Sequence, residues 1–137
     1  MKKCVSAVLC IALALSICTH ATAATPDELW LAAESLREQG IMVGDQTGSL
    51  HLDDSLTRAE LAAILCRLRV NQEHIAAEEA LYTRYCTFPD VPEWARVYVG
   101  YCAFNGLMVG YDTGAFGASD SVTLAPACTV VLRHMGI

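Results

Sequence analysis

The sequence predicts an all-α fold built from tandem helix-loop-helix repeats packed around one core. Residues 40–65 and 106–131 share one pattern of glycines, apolar residues and a helix-starting threonine, at a constant offset of 66 and with no insertion or deletion in their alignment. A segment with helical spacing of apolar residues precedes each stretch. Such a repeat indicates two copies of one supersecondary unit, which stack because neither buries its apolar face alone.

We call the two units copy one (residues 24–72) and copy two (residues 88–137), each taken with the helix that precedes its matching stretch. Copy one begins with a helix that has clear start and stop signals. Thr25 and Glu28 have the spacing of a capping box, and Pro26 suits the first helical position. Gly40 is placed to end the helix as a C-cap glycine. Apolar residues at i, i+3, i+4 and i+7 predict one buried face, made of Leu29, Ala32, Ala33 and Leu36.

The second helix of copy one follows a turn-rich connection over residues 41–52. Thr57 and Glu60 form a second capping box, in which each side chain would bond the other residue's backbone N–H. The apolar residues predicted to line this helix are Leu61, Ile64, Leu65 and Leu68.

Copy two repeats this plan. Its first helix is predicted to start within residues 90–93 and to stop at Gly106, and Thr123 starts the last helix after the connection over residues 110–117. The predicted apolar stripe of the first helix contains Trp94, Val97, Tyr98, Tyr101 and Cys102.

The start of the chain reads as a secretory signal peptide over residues 1–23. Lys2 and Lys3 precede a short apolar run, and an A-x-A box ends at Ala23. A lipoprotein signal would use Cys18, but Ile17 stands where a small residue is needed. The domain plan is then repeat one over 24–72, a linker over 73–87 and repeat two over 88–137. We favour a linking helix over a solvated linker, and we expect no membrane span after cleavage.

Charge narrows the classes of partner. The chain carries nine basic and fifteen acidic residues. Removal of Lys2 and Lys3 with the signal leaves seven arginines, no lysine and a formal charge of −8. A lysine-free acidic surface argues against nucleic acid and against anionic membranes as partners. A single arginine can still recognise one small anion.

Four cysteines remain after cleavage, an even number that permits two disulfides in an exported protein. Cys102 and Cys128 correspond to the apolar residues Leu36 and Ala62 of copy one, so both are predicted to face the core. They either form a disulfide or stay small buried hydrophobes. Their spacing matches no standard zinc pattern, and we predict neither metal nor cofactor.

Several motifs resemble those of the S-layer homology family. The string FPDVP over residues 88–92, followed by Trp94 and Ala95, is similar to the opening of such a repeat. The glycine-bounded GLMVG with YDTGAF behind it resembles the middle, and LTRAELA over residues 56–62 resembles the closing TRAE signature. The resemblance implies a helix, a loop and a helix per repeat, with three repeats forming a pseudo-threefold spindle.

The resemblance also implies a function that is not catalytic. The family holds exported proteins at the bacterial cell wall by binding secondary cell-wall polysaccharide, often one bearing pyruvylated sugar. The TRAE arginine, here Arg58, would meet the sugar carboxylate. Gly110, Tyr111 and Asp112 in the other copy's loop would form the neighbouring wall, and Trp94 would be a core or groove-wall aromatic or a sugar platform. The implied location is the cell surface.

Departures from the family pattern keep a second function class open. Only two repeats are recognisable, so self-association to complete a third lobe is one predicted mode of partnership. In copy two the arginine is replaced by Leu124 and the glutamate by Pro126. A degenerate module acting in protein–protein or structural contacts is therefore the alternative to glycan binding. No catalytic constellation follows from the residue spacing, so an enzyme is not predicted.

Overall fold

A computed structural model describes residues 25–45 and 47–123 of the chain. They form five α-helices and one short 3-10 helix, and their sole strand-like pairing is an isolated bridge between Thr57 and Ser121. The all-α class predicted from the sequence is confirmed. The helices are α1 (Pro26–Glu38), α2 (Arg58–Arg69), α3 (Gln72–Ala77), α4 (Glu79–Tyr85), the 3-10 helix (Glu93–Ala95) and α5 (Arg96–Phe104).

Some predictions concern residues outside this description. The signal peptide, the last helix of copy two and Cys128 lie there. Within the described part, no helix is long and apolar enough to cross a bilayer.

The chain divides into two compact units between Ala32 and Ala33, within α1. In the first unit, α1 begins at the predicted capping box. The Thr25 backbone N–H donates to Glu28 Oε2 at 2.9 Å, and the Glu28 N–H donates to Thr25 Oγ1 at 3.3 Å. Local sequence therefore determines where this helix starts.

The core of the second unit forms where α5 packs against both α4 and α2. The segment predicted as a linker is helical, but it forms two short helices with a break at Glu78, where φ is −108° and ψ is 15°. Asn71 caps α3 by accepting the His74 backbone N–H at 2.9 Å. The largest fully buried side chains are Phe116, Leu107, Met108, Val99, Cys66, Cys86 and Cys102.

The buried side of α5 differs from the predicted stripe. Tyr98, Tyr101 and Cys102 are buried as predicted, but Trp94 is 53% exposed and Val99, outside the stripe, is fully buried. Trp94 lies in the 3-10 helix, whose tighter turn rotates it away from the α-helical register. Because α5 contacts helices on two sides, it also buries more than one stripe.

The predicted lining of α2 is correct only in part. Leu61 and Leu65 are buried, whereas Leu68, one turn further on, is 48% exposed. The small residues of the helix are buried instead: Ala59, Ala62, Ala63 and Cys66. Small side chains permit a close approach between helices, and the Cys102 thiol reaches the Ala62 carbonyl oxygen at 3.6 Å.

The two loops that follow the first helices share their backbone conformation. Left-handed φ values occur at three pairs of positions separated by 66 residues: Gly40 and Gly106, Gly48 and Gly114, His51 and Gly117. Backbone hydrogen bonds recur at the same offset. Asp45 donates to Ser49 O at 2.9 Å, and Tyr111 donates to Ala115 O at 2.7 Å. The shared turn chemistry thus gives equivalent loop structures, while the packing of two whole repeats around one core remains a prediction.

Three cysteines of the described chain, Cys66, Cys86 and Cys102, carry buried free thiols. Burial raises the pKa of the Cys66 thiol to about 12 and raises that of Cys102 as well. The predicted partner of Cys102, Cys128, lies outside the described residues, so that disulfide remains a prediction.

Candidate functional site

Arg58 is the first residue of α2, and a capping box fixes its position. The Glu60 backbone N–H donates to Thr57 Oγ1 at 3.3 Å, and the Thr57 N–H donates to Glu60 Oε2 at 2.8 Å. The Arg58 and Ala59 backbone N–H groups donate to carbonyl oxygens in the copy-two loop, at residues 120 and 118, at 2.9 and 3.0 Å. The first three N–H groups of α2 are therefore satisfied, and recognition of an anion would depend on the arginine side chain.

The Arg58 side chain lies against the loop of copy two. Its Nε–H donates to Phe116 O at 2.9 Å, and Nη2 donates to Val109 O at 2.9 Å. The guanidinium carbon lies 4.8 Å from the ring centroids of both Tyr111 and Phe116. The structure thus brings Arg58 into contact with the loop that the resemblance names as its neighbour.

This arrangement leaves binding capacity on the guanidinium. Arg58 has five N–H donors, of which two have the carbonyl acceptors described above. Arg58 makes no ion pair with any residue in 25–45 or 47–123. Its positive charge is therefore held in a fixed orientation without a carboxylate partner in this part of the chain.

Asp90 holds the loop that positions Arg58. Its carboxylate accepts the backbone N–H groups of Phe116 at 2.8 Å, Gly117 at 2.7 Å and Ala118 at 3.1 Å. Burial opposes ionisation, but the three N–H donors together keep the pKa of Asp90 below its ordinary value. The sequence indicated Asp90 only as part of a helix start, because nothing in its spacing shows a contact some 26 residues away.

Tyr111 and Gly110 are placed by contacts within copy two. The Tyr111 hydroxyl donates to Asp120 Oδ2 at 2.9 Å, and this bond raises the pKa of Tyr111. A Cβ at Gly110 would overlap the Phe88 ring, so only glycine permits that packing. Asp112 lies exposed in the turn after Tyr111. The three predicted wall residues thus lie on the loop that Arg58 contacts.

Trp94 belongs to a different part of the second unit. It lines a groove formed by α3, α4, the 3-10 helix and α5, and neither Arg58 nor residues 110–112 line that groove. The structure therefore separates Trp94 from the other four residues that the resemblance grouped into one site.

The loop of copy one has different side chains at the matching positions. Asp45, His51 and Asp54 correspond to Tyr111, Gly117 and Asp120 of copy two. His51 Nε2 lies 2.9 Å from Asp45 Oδ2, and its Nδ1 lies 3.5 Å from Asp54 Oδ2. A histidine thus bridges two carboxylates where copy two has a direct tyrosine–aspartate hydrogen bond.

We predict that this bridge depends on pH. The hydrogen bond that His51 makes to the Asp45 carboxylate raises the pKa of His51, with smaller contributions from Asp54 and Glu60. A raised pKa in the folded state means that the bridge stabilises the loop below the ordinary histidine pKa, and that this contribution disappears as pH rises through the raised pKa. An NMR titration should show the His51 pKa falling toward its ordinary value in Asp45→Asn.

A neighbouring variant provides the control. In Asp53→Asn the His51 pKa should stay raised, because His51 contacts Asp45 and Asp54 and not Asp53. Equal His51 pKa values in wild type and Asp45→Asn would show that Asp45 does not hold the imidazolium.

The described residues contain no group of three or more His, Cys, Asp and Glu side chains placed to hold a metal ion. In the Arg58 region a cation lies beside aromatic rings and carbonyl groups. A guanidinium can donate charge-assisted hydrogen bonds to an anion.

Comparison with known proteins gives relatives at the bacterial surface. The chain is similar to the middle cell wall protein of Brevibacillus brevis, with 27% identity over 146 residues that cover 99% of the chain and 14% of the relative. It is also similar to the surface layer protein of Brevibacillus choshinensis, with 28% identity covering 99% of the chain and 13% of the relative. No protein-family model and no solved structure matches it.

A third relative matches only part of the chain. Cell surface glycoprotein 1 of Acetivibrio thermocellus is 32% identical over 92 residues, which cover 67% of this chain and 4% of the relative. The chain thus spans about a seventh or less of the length of these relatives. Their names are those of wall and surface proteins rather than enzymes, and they support the cell-surface location predicted from the sequence.

Proposed function

We propose that this chain is an S-layer-homology-like module that binds secondary cell-wall polysaccharide without catalysis and so attaches to the bacterial cell wall. The observation that carries the proposal is the Arg58 guanidinium, which is oriented by two carbonyl groups and two rings and has no carboxylate partner in the described chain. Such a cation is ready to pair with an anionic group on a ligand.

The ligand group that fits best is a carboxylate on a sugar, such as a pyruvyl ketal. A planar guanidinium matches a carboxylate in two parallel hydrogen bonds, and three of its N–H donors remain for this purpose. The bonds to Val109 and Phe116 hold the side chain in place before binding. Less conformational entropy is then lost when the ligand arrives.

The neighbouring loop would provide the rest of the site. Gly110 lets the Phe88 ring pack against this loop, and Tyr111 is 46% exposed beside the guanidinium. The exposed carboxylate of Asp112 would accept hydrogen bonds from sugar hydroxyl groups. The names of the relatives, which are wall and surface-layer proteins, support a place at the cell wall.

Sedimentation with purified cell walls tests this function. We expect the exported chain to sediment with intact walls and to remain in solution after the walls have been stripped of their polysaccharide. Arg58→Leu should sediment less with intact walls than wild type. Arg37→Leu is the matched control, because Arg37 already pairs with Glu34 at 3.4 Å, and this variant should sediment like wild type. Equal retention on intact and stripped walls would contradict polysaccharide binding.

A second candidate function rests on a specific observation. The Arg58 contacts with Val109, Phe116 and two rings already give this side chain a structural role. Copy two has Leu124 at the matching position. A degenerate module of this kind would act through protein–protein contacts, including a second copy that completes a third lobe. In that case Arg58→Leu would change stability, and neither wild type nor any variant would sediment with cell walls.

A further inference from the structure

A groove on the second unit is distinct from the Arg58 region. It has a volume of about 370 Å³ and lies between the α3–α4 segment and the start of α5. A second depression along α3 and α4 shares Ala76, Glu79 and Thr83 with it and continues to Arg84. The groove is lined by Gln72, Ile75, Ala76, Glu79, Thr83, Glu93, Trp94, Val97 and Tyr98. The two depressions therefore adjoin and are open to solvent.

The walls of the groove combine one large aromatic face with hydrogen-bonding side chains. Trp94 is 53% exposed although it lies in the groove, so its indole is available to a ligand. The carboxylates of Glu79 and Glu93 accept hydrogen bonds, and the Gln72 amide both donates and accepts. Carboxylates would repel an anionic sugar but suit one rich in hydroxyl groups.

Two contacts hold the groove in shape. The Tyr98 hydroxyl accepts a hydrogen bond from Arg67 Nη2 at 2.9 Å, and the guanidinium carbon of Arg67 lies 4.6 Å from the ring centroid. On the α3–α4 side, His74 Nε2 and the Tyr82 hydroxyl are 3.0 Å apart, which joins the two short helices. A groove fixed in this way requires little reorganisation when it binds.

We infer that this groove is a second polysaccharide-binding site, which takes an uncharged segment of a sugar chain. Trp94 packs on the apolar face of a pyranose ring, and Glu79, Glu93 and Gln72 bind its hydroxyl groups. The inference rests on the proposed function and assigns different sugar residues of the polymer to two sites. Arg58 takes the residue that bears a carboxylate, and the groove takes neutral residues of the same polymer.

The shape of the groove favours a polymer over a small organic cation. Tryptophan and carboxylates also bind alkylammonium groups, but such ligands are typically enclosed in an aromatic cage. Here one exposed tryptophan stands beside an open surface that extends past Glu79 toward Arg84. An extended chain would use this length, whereas a small cation would not.

Isothermal titration with two forms of one polymer tests the inference. The probes are purified wall polysaccharide and the same polymer after chemical reduction of its carboxylates to alcohols. We expect Trp94→Ala to weaken binding of both forms about tenfold, and Trp94→Phe to recover part of the loss. Arg58→Leu should weaken only the carboxylate form. Trp30→Ala is the matched control, because Trp30 is 59% exposed and belongs to the other compact unit.

The outcomes separate this inference from the function on which it rests. Wild-type affinity of Trp94→Ala for both polymers, with a loss in Arg58→Leu, would overturn the groove and leave the Arg58 site standing. Absence of binding in wild type would overturn both. Binding of choline at Trp94 without any effect of Trp94→Ala on the polymers would overturn the sugar assignment in favour of a cation site.

Discussion

The Gly100→Ala variant is expected to lose about 3 kcal/mol of unfolding free energy, a cost typical of an overpacked core. A Cβ at position 100 would overlap the Tyr82 carbonyl and lie 3.2 Å from the Cys86 backbone nitrogen. Tyr82 lies in α4 and Cys86 caps its C-terminal end, where the Cys86 N–H donates to Tyr82 O at 3.2 Å. The added methyl group would push α4 away from α5 and open the core of the second unit.

Denaturant unfolding measures this cost, and Gly48→Ala provides the control. Gly48 has a left-handed φ of 83°, but a methyl group added there would have no other atom within 4 Å. Its replacement should therefore cost only the backbone strain of about 1–2 kcal/mol. If Gly100→Ala loses no more than Gly48→Ala, the close contact between α4 and α5 does not contribute to stability.

The Arg58→Leu variant is the second large effect, and part of it concerns folding. Leucine cannot donate to the Phe116 and Val109 carbonyl groups or place a cation beside the Tyr111 ring. We expect a loss of about 1.5–3 kcal/mol, in the range for hydrogen bonds from a charged group. The melting temperature should fall in Arg58→Leu and also in Arg58→Lys, because lysine lacks the planar fork. Unchanged melting in both would show that these contacts add nothing to stability.

Features encoded by neighbouring residues could be predicted from the sequence. The capping box of Thr57 and Glu60 spans three residues, and the structure contains both of its hydrogen bonds. Gly40 and Gly106 have the left-handed conformation expected of C-cap glycines. In each case few backbone conformations suit the local residues, so the sequence pattern alone is sufficient to predict the structure.

Features that depend on distant residues could not be predicted in the same way. From the repeat alone, leucine at position 58 should be tolerated, because copy two has Leu124 there. The structure gives Arg58 acceptors 51 and 58 residues away, and no local pattern shows them. The exposure of Trp94 could not be predicted for another reason. It lies in a 3-10 helix before α5, and α-helical spacing does not give the register of such a helix.

The proposed function depends most on the pairing of Arg58 with a sugar carboxylate. Titration of purified wall polysaccharide into wild type, Arg58→Leu, Arg58→Lys and Arg37→Leu tests it, at a temperature where melting curves show every variant to be folded. We predict wild-type affinity for Arg37→Leu and a loss of about ten- to a hundredfold for Arg58→Leu, with Arg58→Lys between them. Equal binding by wild type and Arg58→Leu, or no binding by either, would contradict the account and favour the degenerate interaction module.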